Sequence, residues 1–272
     1  MNRQWQLHKR PVGEPSVEDF KLVLAETPVN TDQNSVLIRN HLLSLDPYMR
    51  WRMDDVKSYA PAVELGEVMV GATVSQVVKS EAAELQVGDF ILAQGGWQGY
   101  AVVNRHSVRK INVDRIQPEA YLGVLGSPGF TAYAGLMKIG KPRPGETVVV
   151  GAATGPVGSM VGQLARRAGA RAVAIAGGPE KCQIALSTFG FSAAIDHRAP
   201  DFANQLAAAC PEGIDVYFEN IGGQVLDAVI PLLNDFARIP VCGVISQYSG
   251  FGNAEDETSL NRFMRDVLVK RL

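Results

Sequence analysis

The residues most able to carry chemistry form a glycine-containing turn directly after an apolar run. Val148-Val149-Val150 leads into Gly151-Ala152-Ala153-Thr154-Gly155-Pro156-Val157-Gly158. The first glycine of the pair at 155 and 158 lets backbone amides approach a pyrophosphate, and the second lets the following helix pack closely on its strand. The amino end of that helix also favours a phosphate charge. Because Ala153 replaces the first glycine of Gly-x-Gly-x-x-Gly, an ordinary strand-turn-helix corner stays open as the alternative. The expected cofactor contacts in the turn are Ala153, Thr154, Gly155, Pro156, Val157 and Gly158.

The end of the next predicted strand indicates which dinucleotide binds. An NAD site usually places Asp or Glu there to hold the adenosine ribose hydroxyls. Here the strand runs into Gly177, and small residues at this point leave room for the 2′-phosphate of NADP. Lys181, with Arg198 or His197, would neutralise that phosphate. NADPH is therefore favoured over NADH, and a solvated Lys181 in the first turn of a helix is the alternative.

The sequence pattern changes from strand-like to helical near residue 120. Before that point, short β-branched runs broken by turn residues predict a compact all-β unit. The predicted strands are 36–39, 67–74, 89–92 and 100–103. After it, residues 119–138 predict a helix, a loop around 126–129 and a second helix. We expect a substrate domain at 1–120 and a dinucleotide-binding domain at 121–272.

From residue 145, strands alternate with helical segments, which predicts an α/β fold with a doubly wound parallel sheet. The predicted strands are 147–152, 172–176, 193–195, 214–218 and 238–245. The predicted helices are 158–168, 181–189, 201–210, 224–233 and 260–269. A sheet of this kind has six strands, so the sequence predicts a Rossmann domain that is incomplete at its carboxyl end and lacks its last strand.

Composition and charge exclude several classes of function. The 272-residue chain has a net charge of -2 and no long basic run, so neither nucleic acid nor a membrane is an expected partner. The amino terminus lacks the apolar segment of a signal peptide, and we expect a cytoplasmic protein. Cys182, Cys210 and Cys242 fit neither a disulfide framework nor a Cys-x-x-Cys metal pair. Buried reduced thiols and no metal site are expected.

Five motifs, in order along the chain, resemble those of the zinc-independent medium-chain dehydrogenase/reductases. They are Ser44-Leu-Asp-Pro-Tyr-Met-Arg-Trp-Arg-Met53, Gly126-Ser-Pro-Gly-Phe-Thr-Ala-Tyr133, Ala152-Ala-Thr-Gly-Pro-Val-Gly158, Tyr217-Phe-Glu-Asn-Ile-Gly-Gly223 and Val241-Cys-Gly-Val-Ile-Ser-Gln-Tyr248. The resemblance covers essentially the whole chain. It is to the branch that holds leukotriene B4 12-hydroxydehydrogenase/prostaglandin reductase and the plant alkenal double-bond reductases, and it is nearest to bacterial NADPH-dependent curcumin reductase.

The resemblance implies a GroES-like domain followed by a Rossmann domain, usually in a homodimer. It also implies NADPH-dependent reduction of a carbon-carbon double bond conjugated to a carbonyl, in curcumin-type enones or 2-alkenals. Zinc-binding relatives carry a cysteine ligand in the first motif, whereas 44–53 contains neither cysteine nor histidine, so metal-free chemistry is expected. Ser127 replaces a methionine typical of curcumin reductase, and His197 replaces a tyrosine of the leukotriene enzymes. Family members continue past Leu272, in agreement with the missing strand.

Three tyrosines gain roles from the resemblance. Tyr248 matches the tyrosine placed over the nicotinamide, and it is expected to stabilise an enolate or donate its proton, because a phenol with a pKa of about 10 is protonated at neutral pH. Tyr48 and Tyr59 match tyrosines that line the substrate cleft. Simple packing is the alternative for all three. Further cofactor contacts implied by the resemblance are Thr131, Asn220, Cys242, Gly243 and Ser246. A helix cap is the alternative for Thr131 and an Asx turn for Asn220.

Two other functions stay open at this stage. A quinone reductase of the zeta-crystallin type shares the Ala-x-x-Gly-x-x-Gly turn, although the Asp-Pro-Tyr-Met-Arg motif and Tyr248 argue against it. A nucleotide-binding protein without turnover is the second alternative, and it would bind NADPH without oxidising it in the presence of enones.

Overall fold

The computed structural model describes residues 1–29, 32–56, 58, 60–250 and 259–270. It divides into two compact units, Met1–Gly126 and Ser127–Leu272. The boundary expected near residue 120 lies inside a 3-10 helix at Pro118–Tyr121. The Tyr121 hydroxyl donates to the Asn112 carbonyl at 3.0 Å and accepts from the Asn112 amide at 3.2 Å, which ties this helix to the first unit.

The first unit is built from antiparallel strands. Its strands are β1 Asn2–Leu7, β2 Phe20–Ala25, β3 Ser35–Leu43, β4 Thr73–Ser80, β5 Phe90–Ala93, β6 Tyr100–Asn104 and β7 Arg109–Lys110, with the short helix α1 Tyr48–Trp51 between β3 and β4. β3 to β7 form one sheet in the order β6-β3-β4-β5-β7, and β1 pairs with β2. Alternate residues of the sheet, among them Val36, Ile38, Val77 and Ile91, form one buried core because strand side chains alternate between faces.

The strand predicted at 67–74 is wrong over most of its length, since β4 begins at Thr73. The preceding residues bond to other segments instead of continuing the ladder. The Met69 amide donates to the Trp5 carbonyl at 3.0 Å, and the Met69 carbonyl accepts from the Trp97 amide at 2.8 Å. An apolar run therefore crosses between β1 and a loop, which local sequence does not distinguish from a strand.

The second unit contains a five-stranded parallel sheet in the order β10-β9-β8-β11-β12. Its strands are β8 Thr147–Val150, β9 Arg171–Ala176, β10 Ala193–Asp196, β11 Ile214–Phe218 and β12 Leu233–Arg238. β8 and most of β9 and β11 are buried along their length, as expected for parallel strands covered on both faces. The strand order reverses at β8, which lies between β9 and β11. Ligands of open α/β sheets bind outside the carboxyl ends of the strands at such a point.

Helices precede, connect and follow these strands, and they confirm the predicted α/β fold class. They are α2 Ser127–Tyr133, α3 Pro156–Arg167, α4 Pro179–Ser187, α5 Phe202–Ala209, α6 Gly223–Val229 and α7 Ser259–Lys270. A π-helix at Ala134–Gly140 follows α2 directly. The loop predicted around 126–129 is wrong, because α2 begins at Ser127 and Pro128 is tolerated in the first turn of a helix, where no backward bond is needed.

The fifth strand of the sheet lies earlier than predicted. β12 ends at Arg238, where the prediction placed a strand at 238–245. Pro240 cannot donate to a ladder, and pairing beyond it continues only as an isolated bridge between Glu219 and Val241. The chain then forms a 3-10 helix at Ile245–Gly250.

No helix in the described part of the chain is long and apolar enough to cross a membrane.

Candidate functional site

Three segments meet at the carboxyl edge of the parallel sheet, where the strand order reverses. We call them the glycine turn (151–158, after β8), the acidic turn (219–223, after β11) and the return segment (241–248, after β12). A fourth feature, the basic corner, comprises Gly177, Lys181, His197 and Arg198 at the ends of β9 and β10 and in the first turn of α4. These four features hold most of the residues that the sequence singled out.

The glycine turn is tightly folded. Ala152 adopts a left-handed backbone with φ of 50°. A Cβ atom on Gly158 would lie 2.4 Å from the Ala152 carbonyl oxygen and 2.8 Å from the Ala153 Cα, so only glycine fits there. Ala153 is fully buried and its amide donates to the Ile175 carbonyl at 3.1 Å. Because that amide is already bonded, Ala153 shapes the turn and does not offer its N–H to a phosphate.

The amino end of α3 offers amide donors for an anion. Gly155 is the extended residue before the helix and Pro156 is its first residue. The Ser159 amide donates back to the Gly155 carbonyl at 2.9 Å. By helix geometry, the amides of Val157 and Gly158 precede it and have no partner within the helix. Together with the helix dipole they form an environment that attracts phosphate.

The acidic turn contains a fully buried carboxylic acid, Glu219. Its Oε1 atom accepts from the Tyr217 hydroxyl at 3.0 Å, the Ile221 amide at 2.6 Å and the Gly222 amide at 2.9 Å. Its Oε2 atom is buried and has no hydrogen-bond partner among the described residues. Burial raises the pKa of Glu219, against the opposing effect of the donated bonds.

Asn220 links the acidic turn to the glycine turn. Its side-chain amide donates to the Gly151 carbonyl at 2.8 Å. Gly151 is fully enclosed, and a Cβ atom there would lie 3.1 Å from the Ile221 side chain and 3.3 Å from the Tyr217 hydroxyl. The two turns are therefore in direct contact, and the Asn220 side chain joins them through this hydrogen bond.

The return segment is bonded to the acidic turn along its length. The amides of Cys242 and Gly243 both donate to the Glu219 carbonyl, at 2.9 and 3.1 Å. The Ser246 hydroxyl donates to the Ile221 carbonyl at 2.5 Å. Burial, and secondarily the charge of Glu219, raises the pKa of the Cys242 thiol to about 11. That thiol is protonated at neutral pH.

Tyr248 lies in the return segment and is buried. Its hydroxyl oxygen accepts from the Val244 amide at 3.3 Å. The same oxygen lies 2.9 Å from the position of a Cβ atom on Gly243. The hydroxyl is thus held against the backbone of 243–244, at the sheet edge where sequence placed it.

The basic corner is held by a carboxylate. Oδ1 of Asp196, the last residue of β10, accepts from the Gly178 amide and from the Arg198 amide, both at 2.9 Å. These bonds lower the pKa of Asp196, the one from Gly178 most. A Cβ atom on Gly177 would lie 2.9 Å from His197 Nε2 and 3.2 Å from Arg198 Nε. Gly177 therefore lets two basic side chains lie over the end of β9. Lys181 is the third residue of α4, and its side chain is exposed.

The remaining predicted residues lie elsewhere. Thr131 is half-buried in α2, a helix that packs on α3. Tyr48 belongs to the first unit, where it packs on a core that includes Met49 and Met69, and burial raises its pKa. Tyr59 lies outside the described residues. Among the described residues, no three His, Cys, Asp or Glu side chains are grouped so that they would hold a metal ion.

Sequence reasoning missed Glu219, Tyr217 and Asp196. The signal for Glu219 was a lone acid at the end of an apolar strand, inside a motif noticed only for Asn220. For Asp196 it was an acid directly before the basic pair at 197–198. In both cases the partners include two backbone amides, whose direction the sequence does not reveal.

The chemistry of this edge fits NADPH. Amides at the start of α3 and the α3 dipole suit a pyrophosphate, and the basic side chains beside Gly177 suit a 2′-phosphate. Asp196, the acid at the end of β10, directs Oδ1 at backbone amides. This arrangement differs from that of NAD sites, in which an acid at the end of the second strand holds the ribose hydroxyls.

A β-rich unit followed by a parallel sheet with this glycine turn defines a nicotinamide-dinucleotide oxidoreductase fold. Family profiles agree: residues 3–111 match the N-terminal domain of oxidoreductase, and residues 156–266 match the profile described as zinc-binding dehydrogenase. The chain is 51% identical to NADPH-dependent curcumin reductase of Escherichia coli over 272 residues, which is 100% of this chain and 78% of that protein. It is 38% identical to the NADP(+)-dependent 2-alkenal reductase of Nicotiana tabacum over 253 residues, 91% of this chain and 74% of the relative.

A solved structure with bound cofactor is also similar. CurA from Vibrio vulnificus in complex with NADPH superimposes with a TM-score of 0.90 at 52% identity, over 99% of this chain and 80% of that one. The chain therefore belongs to the medium-chain dehydrogenase/reductase family, in the branch that includes curcumin reductase and 2-alkenal reductase.

Proposed function

We propose that this protein reduces the carbon-carbon double bond of α,β-unsaturated ketones and aldehydes with NADPH. The observation that carries the proposal is that an anion-binding helix end, a basic corner and a tyrosine hydroxyl lie at the same edge of the sheet, where Asn220 bonds the acidic turn to the glycine turn. The named activities of the relatives, curcumin reductase and 2-alkenal reductase, support the substrate class.

The chain's own residues would hold the cofactor in three places. The amides at the start of α3 would bind the pyrophosphate, and Lys181, His197 and Arg198 the 2′-phosphate. Asn220, Cys242, Gly243 and Ser246 would line the nicotinamide half, with Thr131 as a further contact. When bound, NADPH supplies a hydride to the β-carbon of the enone.

Hydride addition to an enone leaves an enolate, whose oxygen needs a hydrogen-bond donor and whose α-carbon needs a proton. We assign Tyr248 to this role, because a phenol is protonated at neutral pH and is a donor of suitable strength. Tyr48 and Tyr59 are proposed to contact the substrate carbonyl or a phenol of an extended substrate. Burial of Tyr48 raises its pKa, which keeps that hydroxyl protonated as a donor.

The proposal includes organisation beyond the site. We propose that residues 1–120 supply a GroES-like substrate domain and 121–272 the cofactor domain, and that the protein works as a cytoplasmic homodimer on a small-molecule substrate. These points rest on the family resemblance described above.

The function is tested by steady-state oxidation of NADPH with matched acceptors. We expect turnover with curcumin and with a short 2-alkenal, and none with the corresponding saturated carbonyl compounds, because only a conjugated bond accepts hydride at its β-carbon. A quinone serves as the contrasting acceptor. Preference for the quinone over every enone would contradict the proposal, as would NADPH binding without oxidation.

A further inference from the structure

We propose that Glu219 is a positioning residue that holds the acidic turn through one carboxyl oxygen and so aligns Asn220 and the return segment for the cofactor. This inference rests on the proposed function, because the groups that it aligns are the proposed nicotinamide contacts. Glu219 itself is fully buried and touches neither cofactor nor substrate in this account.

Three donors converge on the same oxygen atom. Oε1 of Glu219 accepts from the Tyr217 hydroxyl before it in the chain and from the Ile221 and Gly222 amides after it. The two amides belong to a turn in which Gly222 has a φ of 74°. Buried amides without acceptors are costly, so removing this oxygen would release the turn.

Backbone bonds carry this placement to the return segment. The Glu219 carbonyl accepts from the amides of Cys242 and Gly243, and the Asn220 carbonyl from the Ile245 amide at 3.1 Å. The Ile221 carbonyl accepts from the Ser246 amide at 3.0 Å. A change in the path of the acidic turn must therefore move the proposed nicotinamide contacts.

Side chains carry the same placement to the glycine turn. Asn220 donates to the Gly151 carbonyl at 2.8 Å. The Tyr217 hydroxyl, whose position the carboxyl oxygen fixes, lies beside Gly151. Glu219 thus lies where the glycine turn, the acidic turn and the return segment meet. The family resemblance implies cofactor contacts in all three segments but gives no role to Glu219 itself.

The environment of the second carboxyl oxygen, Oε2, favours the uncharged form of Glu219. Oε2 is buried and has no hydrogen-bond partner in the part of the chain that the structure describes, and burial of such an oxygen disfavours the ionised carboxylate. Burial raises the pKa of Glu219 accordingly. The titratable groups that face it are Tyr217, whose pKa burial raises, and Cys242, whose pKa is raised to about 11, so both stay neutral where Glu219 titrates.

Three variants of the full chain test the inference: Glu219→Ala, Glu219→Gln and the control Glu212→Ala, an exposed acid of the same unit. We expect Glu219→Ala to weaken NADPH binding by at least about tenfold, because it leaves amides of the turn unpaired. Glu219→Gln keeps an acceptor oxygen in place and should restore affinity to within about threefold of wild type. Binding is measured directly by calorimetry, and enone turnover is measured beside it.

A second measurement is the pH dependence of thermal stability without NADPH. A simple loss of packing would lower the stability but would not change how it depends on pH. A raised pKa in the folded state contributes stability that is present below the unfolded pKa of about 4.3 and is lost as pH rises through the folded value. Wild type should therefore lose stability relative to Glu219→Gln as pH rises above the unfolded pKa of about 4.3. The NADPH affinity of Glu219→Gln, together with this comparison, tests the inference even if Glu219→Ala does not fold.

Wild-type affinity in Glu219→Ala, or a stability difference between wild type and Glu219→Gln that does not change with pH, would overturn the inference. So would a folded Glu219→Gln variant that loses NADPH as Glu219→Ala does. Failure of wild type to bind NADPH would instead overturn the proposed function, and the stability comparison would still report on the carboxyl group.

Discussion

Tyr248 is held in place at the sheet edge by its own return segment. Its hydroxyl oxygen accepts from the Val244 amide at 3.3 Å and lies close to Gly243. This bond fixes the position of the hydroxyl oxygen against the backbone of 243–244. A fixed position is what a preorganised donor requires.

We predict that Tyr248→Phe lowers kcat for enone reduction by at least about tenfold while the Kd for NADPH changes little. The hydroxyl acts mainly in the transition state, so its loss should leave cofactor binding intact. The same substitution leaves the Val244 amide without this acceptor, so thermal stability is measured alongside the kinetics. Tyr100→Phe, in the first unit, is the matched control. Unchanged turnover in a folded Tyr248→Phe variant would remove Tyr248 from the mechanism.

At the residue scale, the sequence indicates which types of side chain the candidate site contains, but not which hydrogen bonds those side chains make. The glycines at 155 and 158 and the basic residues near the second strand were predicted from spacing, because phosphate binding needs close backbone approach and positive charge. Glu219 was not predicted, because its function depends on three donors that converge only after β11 has turned. The cofactor contact expected of Ala153 stays a prediction, and its amide is engaged by the Ile175 carbonyl.

At the scale of elements, the basic corner depends on two strand ends brought side by side. β9 and β10 pair in parallel, with Asp196 opposite Ala176. The Asp196 carboxylate then joins the turn before α4 to the residues after β10. We therefore expect selectivity for the 2′-phosphate to depend on the pair of strand ends as well as on the charge of the basic side chains.

We predict that Arg198→Ala raises the Kd for NADPH at least about tenfold and leaves the Kd for NADH nearly unchanged, because only NADPH carries the 2′-phosphate. Lys181→Ala should weaken NADPH selectively in the same way. Both constants are measured by calorimetry, with Arg115→Ala in the first unit as the control. Equal weakening of NADPH and NADH would show that these residues do not distinguish the two cofactors.

The positions of most strands and helices of the second unit could be predicted, since alternation of apolar strands and helices is a strong local signal. Two errors had physical causes. The fifth strand was misplaced because apolar residues after Arg238 include Pro240, and they leave the ladder to build the return segment. The strand at 67–74 was misplaced because its first residues bond to β1 and to a loop, which no local pattern reveals.

At the scale of the whole molecule, the sequence predicted the family, and comparison with relatives confirmed it over the full chain. The five motifs lie in both units: the first belongs to Met1–Gly126 and most of the others to Ser127–Leu272. From composition and charge, nucleic acid is not an expected partner. Composition does not identify a substrate. The substrate class comes from the chemistry of the site together with the named activities of relatives.

The central claim is that hydride moves from NADPH to the β-carbon of a conjugated carbonyl compound. The most direct measurement uses NADPH with deuterium at both positions of the nicotinamide C4, with a simple enone as acceptor and mass and NMR analysis of the product. We predict a saturated ketone that carries one deuterium on the β-carbon and an intact carbonyl group. A product without deuterium, or an alcohol with deuterium on the former carbonyl carbon, would contradict the account.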